Sequence, residues 1–326
     1  MIEVSHLTKR YGGHTAVSDL SFHIGKGQIY GFLGPNGAGK STTMNIMTGC
    51  LAATGGQVKV GGYDIFEEAE QAKRLIGYLP EQPPLYLDRT PREYLTFVGR
   101  VKKLGREELE RQVAHVMDVT QITDVADRLI KQLSKGYKQR VDIAQALLGN
   151  PEVIILDEPT VGLDPRQIIE IRELITSLGK QHTVILSSHI LSEVQAICQT
   201  ILIISKGRLV ACDTPENLER LFAGSATVEL TVEAGEEELP AILAPLEHIQ
   251  AVHILKAEQG RCELALDTDG AEAVCRELFF AFSRADRPIL RMTNTNASLE
   301  DIFIELTSGD QADTAPEATA EKEAEQ

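Results

Sequence analysis

Gly34-Pro35-Asn36-Gly37-Ala38-Gly39-Lys40-Ser41 fits the pattern G-x-x-x-x-G-K-S/T, in which a glycine-rich turn binds nucleotide phosphates. The turn stands between a predicted strand, Gln28–Leu33, and a predicted helix, Ser41–Thr48, which is the context that the pattern requires. The glycines allow backbone N–H groups to face phosphate oxygens where a helix begins. The Lys40 ammonium can then reach the β and γ phosphates, and the Ser41 hydroxyl can bind Mg²⁺. The stretch therefore predicts a phosphate-binding loop.

Two carboxylates follow a buried strand later in the chain. Asp157 and Glu158 come directly after the aliphatic run Val153–Leu156. Asp157 can hold the Mg²⁺ shell, and Glu158 can polarise an attacking water. Many buried strands end in an acid, so this pair alone is a weak signal. Together with the phosphate-binding loop it predicts a site that hydrolyses a nucleoside triphosphate.

Residues 1–225 alternate short apolar runs with helical patterns, which is typical of a sheet covered by helices. Apolar residues at helical spacing between about 85 and 150 predict a helix-rich insert. Its helices Arg92–Leu104 and Glu107–Asp118 have predicted inward faces made of Leu95, Val98, Val101 and Leu104 and of Leu109, Val113, Val116 and Met117. The predicted strands are Phe22–Ile24, Gln28–Leu33, Gln57–Val60, Val153–Leu156, Thr183–Leu186 and Ile201–Ile204. We therefore predict an α/β domain with a helical subdomain.

The pattern changes near residue 225, where we place a domain boundary. Residues 226–309 follow the order β-α-β-β-α-β, which predicts a small α+β domain of the ferredoxin-like type. A last helix is predicted from Ser298 onward, and the acidic, alanine-rich residues 310–326 predict a disordered tail. The second long helix of this domain has a predicted inward face made of Ala271, Val274, Cys275, Leu278, Phe279 and Phe282.

Composition excludes several classes of protein. The 326 residues carry a net charge of −16, nearly all of it after residue 225, so there is no basic domain and we expect no nucleic-acid partner. No apolar run approaches the roughly 20 residues of a membrane span. The five cysteines show no Cys-x-x-Cys spacing, and the first residues lack the pattern of a signal peptide. We therefore expect an intracellular chain with reduced thiols and no structural zinc.

The segment Leu133-Ser134-Lys135-Gly136-Tyr137 resembles the signature motif of ABC ATPases, whose usual form is L-S-G-G-Q, and it stands upstream of the acidic strand as in that family. Three further segments resemble family motifs in the expected order. They are Tyr11, like the aromatic residue that stacks on adenine, Gly162-Leu163-Asp164, like the D-loop, and His189, like the switch histidine. The resemblance covers most of residues 1–225. It implies the P-loop fold of an ABC ATPase, with ATP and Mg²⁺ as its ligands.

The resemblance also implies roles for particular residues. Residues 34–42, including Thr42, would bind the ATP phosphates, with Lys40, Glu158 and His189 in catalysis and Ser41 and Asp157 at the metal. In the family two ATPase domains pair head to tail, so Ser134, Gly136 and Asp164 would serve the nucleotide of a second subunit. The Q-loop position falls on Glu81, with Gln82 one residue later, and either side chain can face the metal.

The resemblance further implies a peripheral ATPase subunit at the cytoplasmic face of the cell membrane, bound to a polytopic permease that this chain lacks. Lys135, Tyr137 and the C-terminal extension most resemble bacterial exporter ATPases of the gliding-motility, polysaccharide or drug-efflux type. One alternative is a soluble ABC ATPase that acts on ribosomes or nucleic acid, although the chain has neither a second ATPase domain nor a long coiled coil. A GTPase or small kinase is disfavoured because no Asn-Lys-x-Asp motif occurs.

Overall fold

The chain divides into two compact units, Met1–Pro215 and Glu216–Gln326. The domain boundary near residue 225 stays a prediction. The predicted helix from Ser298 and the predicted tail lie outside the described residues. The computed structural model describes residues 1–222, 226–246, 248–258, 260–268 and 271–295.

The first unit contains most of the described strands and helices. Its strands are β1 (Ile2–Tyr11), β2 (His14–Ile24), β3 (Ile29–Leu33), β4 (Gly55–Val60), β5 (Tyr63–Asp64), β6 (Ile76–Leu79), β7 (Val153–Leu156), β8 (Thr183–Ser188), β9 (Thr200–Ser205) and β10 (Arg208–Asp213). Its helices are α1 (Lys40–Met47), α2 (Ala69–Arg74), α3 (Pro91–Val101), α4 (Arg106–Val119), α5 (Lys135–Leu147), α6 (Pro165–Leu178) and α7 (Leu191–Ile197). Helix α8 (Pro215–Phe222) begins at the last residue of this unit and otherwise belongs to the second unit.

A six-stranded sheet with the order β10-β9-β3-β8-β7-β6 forms the centre of this unit. All its neighbours are parallel except β10, which runs antiparallel to β9. Every residue of β3, β7 and β8 is buried, as expected for parallel strands covered on both faces. The carboxyl ends of parallel strands lie at one edge of a sheet, where ligands of such sheets bind. This edge therefore brings the turn after Leu33 close to Asp157 and His189.

A second sheet, with the order β2-β1-β4-β5, packs on the first through one apolar cluster. The cluster joins Ile2 and Val4 of β1 to Met44 and Met47 of α1 and to Phe32 of β3. Helix α1 is thus held from both sides, and so is the phosphate-binding loop that precedes it. The sequence predicted β4 and the end of β2 but did not predict β1. Register shifts interrupt the alternation of buried residues along β1, so its pattern is not that of a regular strand.

Helices α3, α4 and α5 contact one another and form the predicted helical subdomain. A capping box between Thr90 and Glu93, with Pro91 in the first turn, begins α3. The predicted inward face of α4 is confirmed, since all four of its residues are buried. The prediction for Val101 is wrong, because α3 ends at this residue and its side chain is 64% exposed.

The second unit has a four-stranded sheet whose neighbours are all antiparallel, in the order β12-β13-β11-β14. Val274, Leu278 and Phe282 cover it with one face of α10. Phe279 was predicted to belong to this face but is 55% exposed, because it lies one position beyond the i, i+4, i+8 row. The ferredoxin-like type of this unit stays a prediction. Its elements are β11 (Ala226–Val232), α9 (Leu239–Leu243), β12 (Ile249–Glu258), β13 (Arg261–Thr268), α10 (Ala271–Arg284) and β14 (Ile289–Thr295).

No helix in the described part of the chain has both the length and the apolar character that crossing a bilayer requires.

Candidate active site

The phosphate-binding loop joins β3 to α1 in a conformation that requires glycine at two positions. Gly39 has φ = +102°, and a Cβ atom there would lie 2.5 Å from the carbonyl oxygen of Ala16. A Cβ atom on Gly34 would lie 2.3 Å from the carbonyl oxygen of Ile204. Both contacts are with backbone, which cannot move aside as a flexible side chain would. The two glycines thus let the loop pass close to its neighbours before α1 begins at Lys40.

The Lys40 side chain is buried inside the loop, with only 6% of its surface exposed. Its ammonium donates hydrogen bonds to the carbonyl oxygens of Gly34 at 2.8 Å and Pro35 at 3.3 Å. Lys40 Nζ also lies 3.6 Å from Glu158 Oε1. The loop therefore holds one ammonium directly beside the carboxylate at the end of β7.

Asp157 accepts two hydrogen bonds from serine hydroxyl groups. Ser41 Oγ donates to Asp157 Oδ1 at 3.2 Å, and Ser187 Oγ donates to the same oxygen. Burial raises the pKa of Asp157, and the two hydrogen bonds oppose that rise. Ser187 also accepts a hydrogen bond from the Glu158 backbone N–H at 2.8 Å. Sequence reasoning did not identify Ser187. The sequence feature that could have marked it is a polar residue near the end of the buried strand β8.

The Glu158 carboxylate lies between a lysine and a histidine. His189 Nδ1 is 3.0 Å from Glu158 Oε2, whereas Lys40 Nζ is near the other carboxylate oxygen, Oε1. Only 8% of the Glu158 side chain is exposed. Its backbone has φ = +50°, a conformation that non-glycine residues adopt rarely and that often occurs at functional sites.

A buried glutamate connects the two loops that carry Glu158 and His189. Glu193 Oε2 accepts hydrogen bonds from the hydroxyl groups of Thr160 and Ser188. Ser188 Oγ in turn accepts from the backbone N–H of Ile190 at 3.0 Å. Glu193 was also missed by sequence reasoning, because it lies on α7 with no motif to mark it. Its bonds fix the distance between the two loops and so support the contact of Glu158 with His189.

A cavity of about 560 Å³ opens in front of these residues, within the range of small-molecule sites. Glu81 lines this cavity, and Gln82 is not among its lining residues. The ring of Tyr11 is half exposed at the rim, with Lys9 Nζ 5.1 Å from its centroid. His14, which the sequence did not single out, completes the rim. The lining residues are Tyr11, His14, Ala16, Asn36, Gly37, Gly39, Lys40, Ser41, Thr42, Glu81, Glu158, Val161 and His189.

Ser134, Gly136 and Asp164 do not line the cavity. Ser134 Oγ caps α5 by accepting from the Tyr137 N–H at 3.3 Å, and Asp164 caps α6 by accepting from the Gln167 N–H at 2.9 Å. A Cβ atom on Gly136 would lie 2.9 Å from Gln167 Cδ, so the starts of α5 and α6 are packed together. Ser134, Gly136 and Asp164 are thus predicted site residues that lie outside the cavity of their own chain.

Similarity to known proteins identifies the family of this chain. Residues 17–161 match the family model described as ABC transporter. The chain is 34% identical over 310 residues to the linearmycin resistance ATP-binding protein of Bacillus subtilis, covering 94% of this chain and 98% of that protein. It is 32% identical over 311 residues to the bacitracin transport ATP-binding protein of Bacillus licheniformis, covering 95% and 98%. A solved dimeric ATP-binding cassette in a post-hydrolysis state, bound to ADP and Pi, has a TM-score of 0.60 at 25% identity, covering 66% of this chain and 98% of that one.

Proposed function

Because this chain belongs to the ATP-binding, ATP-hydrolysing subunits of ABC transporters, we propose that it energises export through a separate membrane permease. We assign the hydrolysis to the cavity that Lys40, Glu158 and His189 share. The observation that carries this assignment is the buried Glu158 carboxylate, with Lys40 Nζ at 3.6 Å and His189 Nδ1 at 3.0 Å.

Each of these side chains has one role in the proposed reaction. The backbone N–H groups of the loop and the Lys40 ammonium hold the terminal phosphates. Glu158 orients the attacking water and accepts its proton. His189 Nδ1 lies 3.0 Å from Glu158 Oε2, which leaves Nε2 to contact an oxygen of the terminal phosphate. Tyr11 stacks on the adenine ring, and Asn36 and Thr42 complete the contacts to the phosphates.

The oxygen donors at the start of α1 suit a magnesium ion. Ser41 Oγ and Asp157 Oδ1 are 3.2 Å apart, and Mg²⁺ prefers hydroxyl, carboxylate and water oxygens. When bound, Mg²⁺ neutralises charge that develops on the phosphate oxygens. Glu81 faces the same cavity, which favours Glu81 over Gln82 as the Q-loop residue at this ion.

A second copy of the chain would complete the site. Ser134, Gly136 and Asp164 lie outside the cavity of their own chain, at the joined starts of α5 and α6. We propose that two chains pair head to tail, so that this surface of one chain faces the phosphate-binding loop of the other. The dimeric state of a solved ATP-binding cassette supports the pairing of two chains.

The permease contact is proposed at a groove of about 500 Å³ that follows the Glu81 segment. Two aromatic rings, Tyr86 and Phe97, are each 45% exposed there, with centroids 5.3 Å apart. Arg89, Arg92 and Arg100 surround them. Exposed aromatic and arginine side chains are enriched at protein interfaces. A chain docked there would lie at the cytoplasmic face of the membrane.

Affinity purification of the tagged chain from native membranes tests the proposal. We expect a polytopic membrane protein to be recovered with it, together with Mg²⁺-dependent ATPase activity that Glu158→Gln abolishes. A double charge reversal, Arg89→Glu and Arg100→Glu, should release the membrane protein while the purified chain still binds ATP. Recovery of ribosomes or nucleic acid in place of a membrane protein would favour the alternative of a soluble ABC ATPase.

A further inference from the structure

Lys135 is an exposed lysine directly after the signature serine, Ser134. Its side chain extends to the neighbouring loop, where a Cβ atom on Gly162 would lie 2.1 Å from Lys135 Nζ. Gly162 has φ = +70°, and Val161, the residue before it, lines the nucleotide cavity. Within the described part of the chain, the Lys135 ammonium has neither an ion pair nor a hydrogen bond. It is therefore an unneutralised cation on the surface that carries Ser134.

The side chains that line the nucleotide cavity contribute little positive charge. Lys40 is the one lysine or arginine among its lining residues, and its ammonium already lies 3.6 Å from Glu158. Glu81 and Glu158 contribute two carboxylates to the same lining. A bound triphosphate adds several more negative charges, which favours a further cation near its terminal phosphate.

We propose that Lys135 of one copy supplies this cation to the terminal phosphates of the ATP that the other copy holds. The proposal rests on the head-to-tail pairing proposed above, in which Ser134 faces the second chain's phosphate-binding loop. Lys135 follows Ser134, so the same pairing presents its free ammonium to the same phosphates. A long, flexible lysine can leave the Gly162 surface and turn toward them. The signature motif more often has glycine at this position, and a glycine would supply no cation there.

Substitutions at Lys135 separate its charge from its packing on Gly162. Lys135→Met keeps the length and the apolar stem but removes the charge, and Lys135→Arg keeps a cation. Lys131→Ala is the matched control, because it removes an exposed lysine from the same subdomain, in the short helix Ile130–Gln132. All variants are made in the Glu158→Gln chain, so that ATP is bound without being hydrolysed.

The measurement is ATP-dependent dimer formation, followed by sedimentation velocity. We expect Lys135→Met to raise the ATP concentration for half-maximal dimer by about tenfold, the effect of losing one charge-assisted contact. Lys135→Arg should stay within about threefold of the parent. Lys131→Ala should match the parent. Binding of a fluorescent ATP analogue to the single chain, at protein concentrations too low for pairing, should be the same for Lys135→Met and the parent.

Two results would overturn the role of Lys135 while leaving the paired site intact. Dimer formation by Lys135→Met at the parent's ATP concentration would show that the charge is not used. An equal loss of ATP binding by the single Lys135→Met chain would place the lysine at its own chain's nucleotide. If the parent chain itself fails to form a dimer with ATP, the head-to-tail pairing fails, and the inference fails with it.

Discussion

Lys40 Nζ lies 3.6 Å from Glu158 Oε1, and both side chains are buried. The contact follows from the order of the central sheet, in which β3 and β7 both flank β8 and run parallel to it. The loop after β3 and the carboxylate after β7 therefore meet at one edge. One residue is proposed to hold phosphate and the other to activate water, so their substitution should affect different steps.

Lys40→Ala and Glu158→Gln should separate binding from hydrolysis. Lys40→Ala removes a phosphate contact and should weaken ATP binding, while Glu158→Gln keeps the loop and should bind ATP as the parent does. Without its carboxylate the second variant should lose roughly 10²- to 10⁴-fold in turnover. Equilibrium binding and steady-state ATPase assays on the same preparations measure both effects. Turnover at the parent level in Glu158→Gln would remove this residue from the role of base.

Mixing two inactive chains should restore part of the activity if the site is shared between subunits. A Ser134→Arg chain lacks a competent signature surface, and a Lys40→Ala chain lacks a competent loop. A heterodimer of the two has one intact site and one site with both defects. Chains with different affinity tags allow the heterodimer to be isolated before its ATPase activity is measured. Absence of activity in a proven heterodimer would mean that the site is not shared, or that both sites must be intact.

The sequence predicted the parts of the site that lie in contiguous motifs. The phosphate-binding loop and the pair Asp157 and Glu158 each follow an apolar strand, so pattern and local context were sufficient. Ser187 and Glu193 could not be predicted in this way. Their partners are about 30 residues away in the chain, and only the sheet order brings them together.

The same distinction applies to the fold. Strands with continuous apolar runs were predicted, whereas β1 was not, because its register shifts break the alternation that marks a half-buried strand. Phe279 shows a second limit. Helical spacing gives the centre of an apolar face, here Val274, Leu278 and Phe282, but does not define how wide that face is.

Substitutions at Glu81 should change the Mg²⁺ requirement of the ATPase. A carboxylate adds a full negative charge to a hard cation that prefers oxygen ligands, and Glu81, unlike Gln82, lines the cavity. We expect Glu81→Ala to raise the Mg²⁺ concentration for half-maximal activity more than Gln82→Ala does, with Glu81→Gln intermediate. ATPase activity titrated with Mg²⁺ compares the three variants. A larger shift for Gln82→Ala would move the Q-loop role by one residue, and no shift in any variant would remove this segment from the metal.

Asp142 on α5 is a buried carboxyl group that the proposed reaction does not use. Its side chain is 2% exposed, and in the described part of the structure Oδ1 has no hydrogen-bond partner. Burial raises the pKa of Asp142 to about 8. Tyr94 of α3 interacts with it, and burial together with the Asp142 charge raises the pKa of Tyr94 to about 12. At neutral pH the folded chain therefore keeps Asp142 largely protonated.

The stability of the folded chain should depend on pH through Asp142. The pKa of Asp142 rises from 3.8 to about 8 on folding, so between these values the folded state binds a proton that the unfolded state releases. The free energy of unfolding should therefore fall as the pH rises through this window and level off above it. Asp142→Asn, which cannot ionise, should lack this loss, so that its stability relative to the parent increases by about 2 to 4 kcal/mol between pH 5 and pH 8. Urea unfolding at both pH values measures the difference, and any pH-independent effect of the amide cancels in the comparison.

Asp118→Asn on the exposed face of α4 is the matched control and should show no such change, because that carboxyl group remains in water in both states. A difference between Asp142→Asn and the parent that is the same at pH 5 and pH 8 would show that folding does not change the ionisation of Asp142.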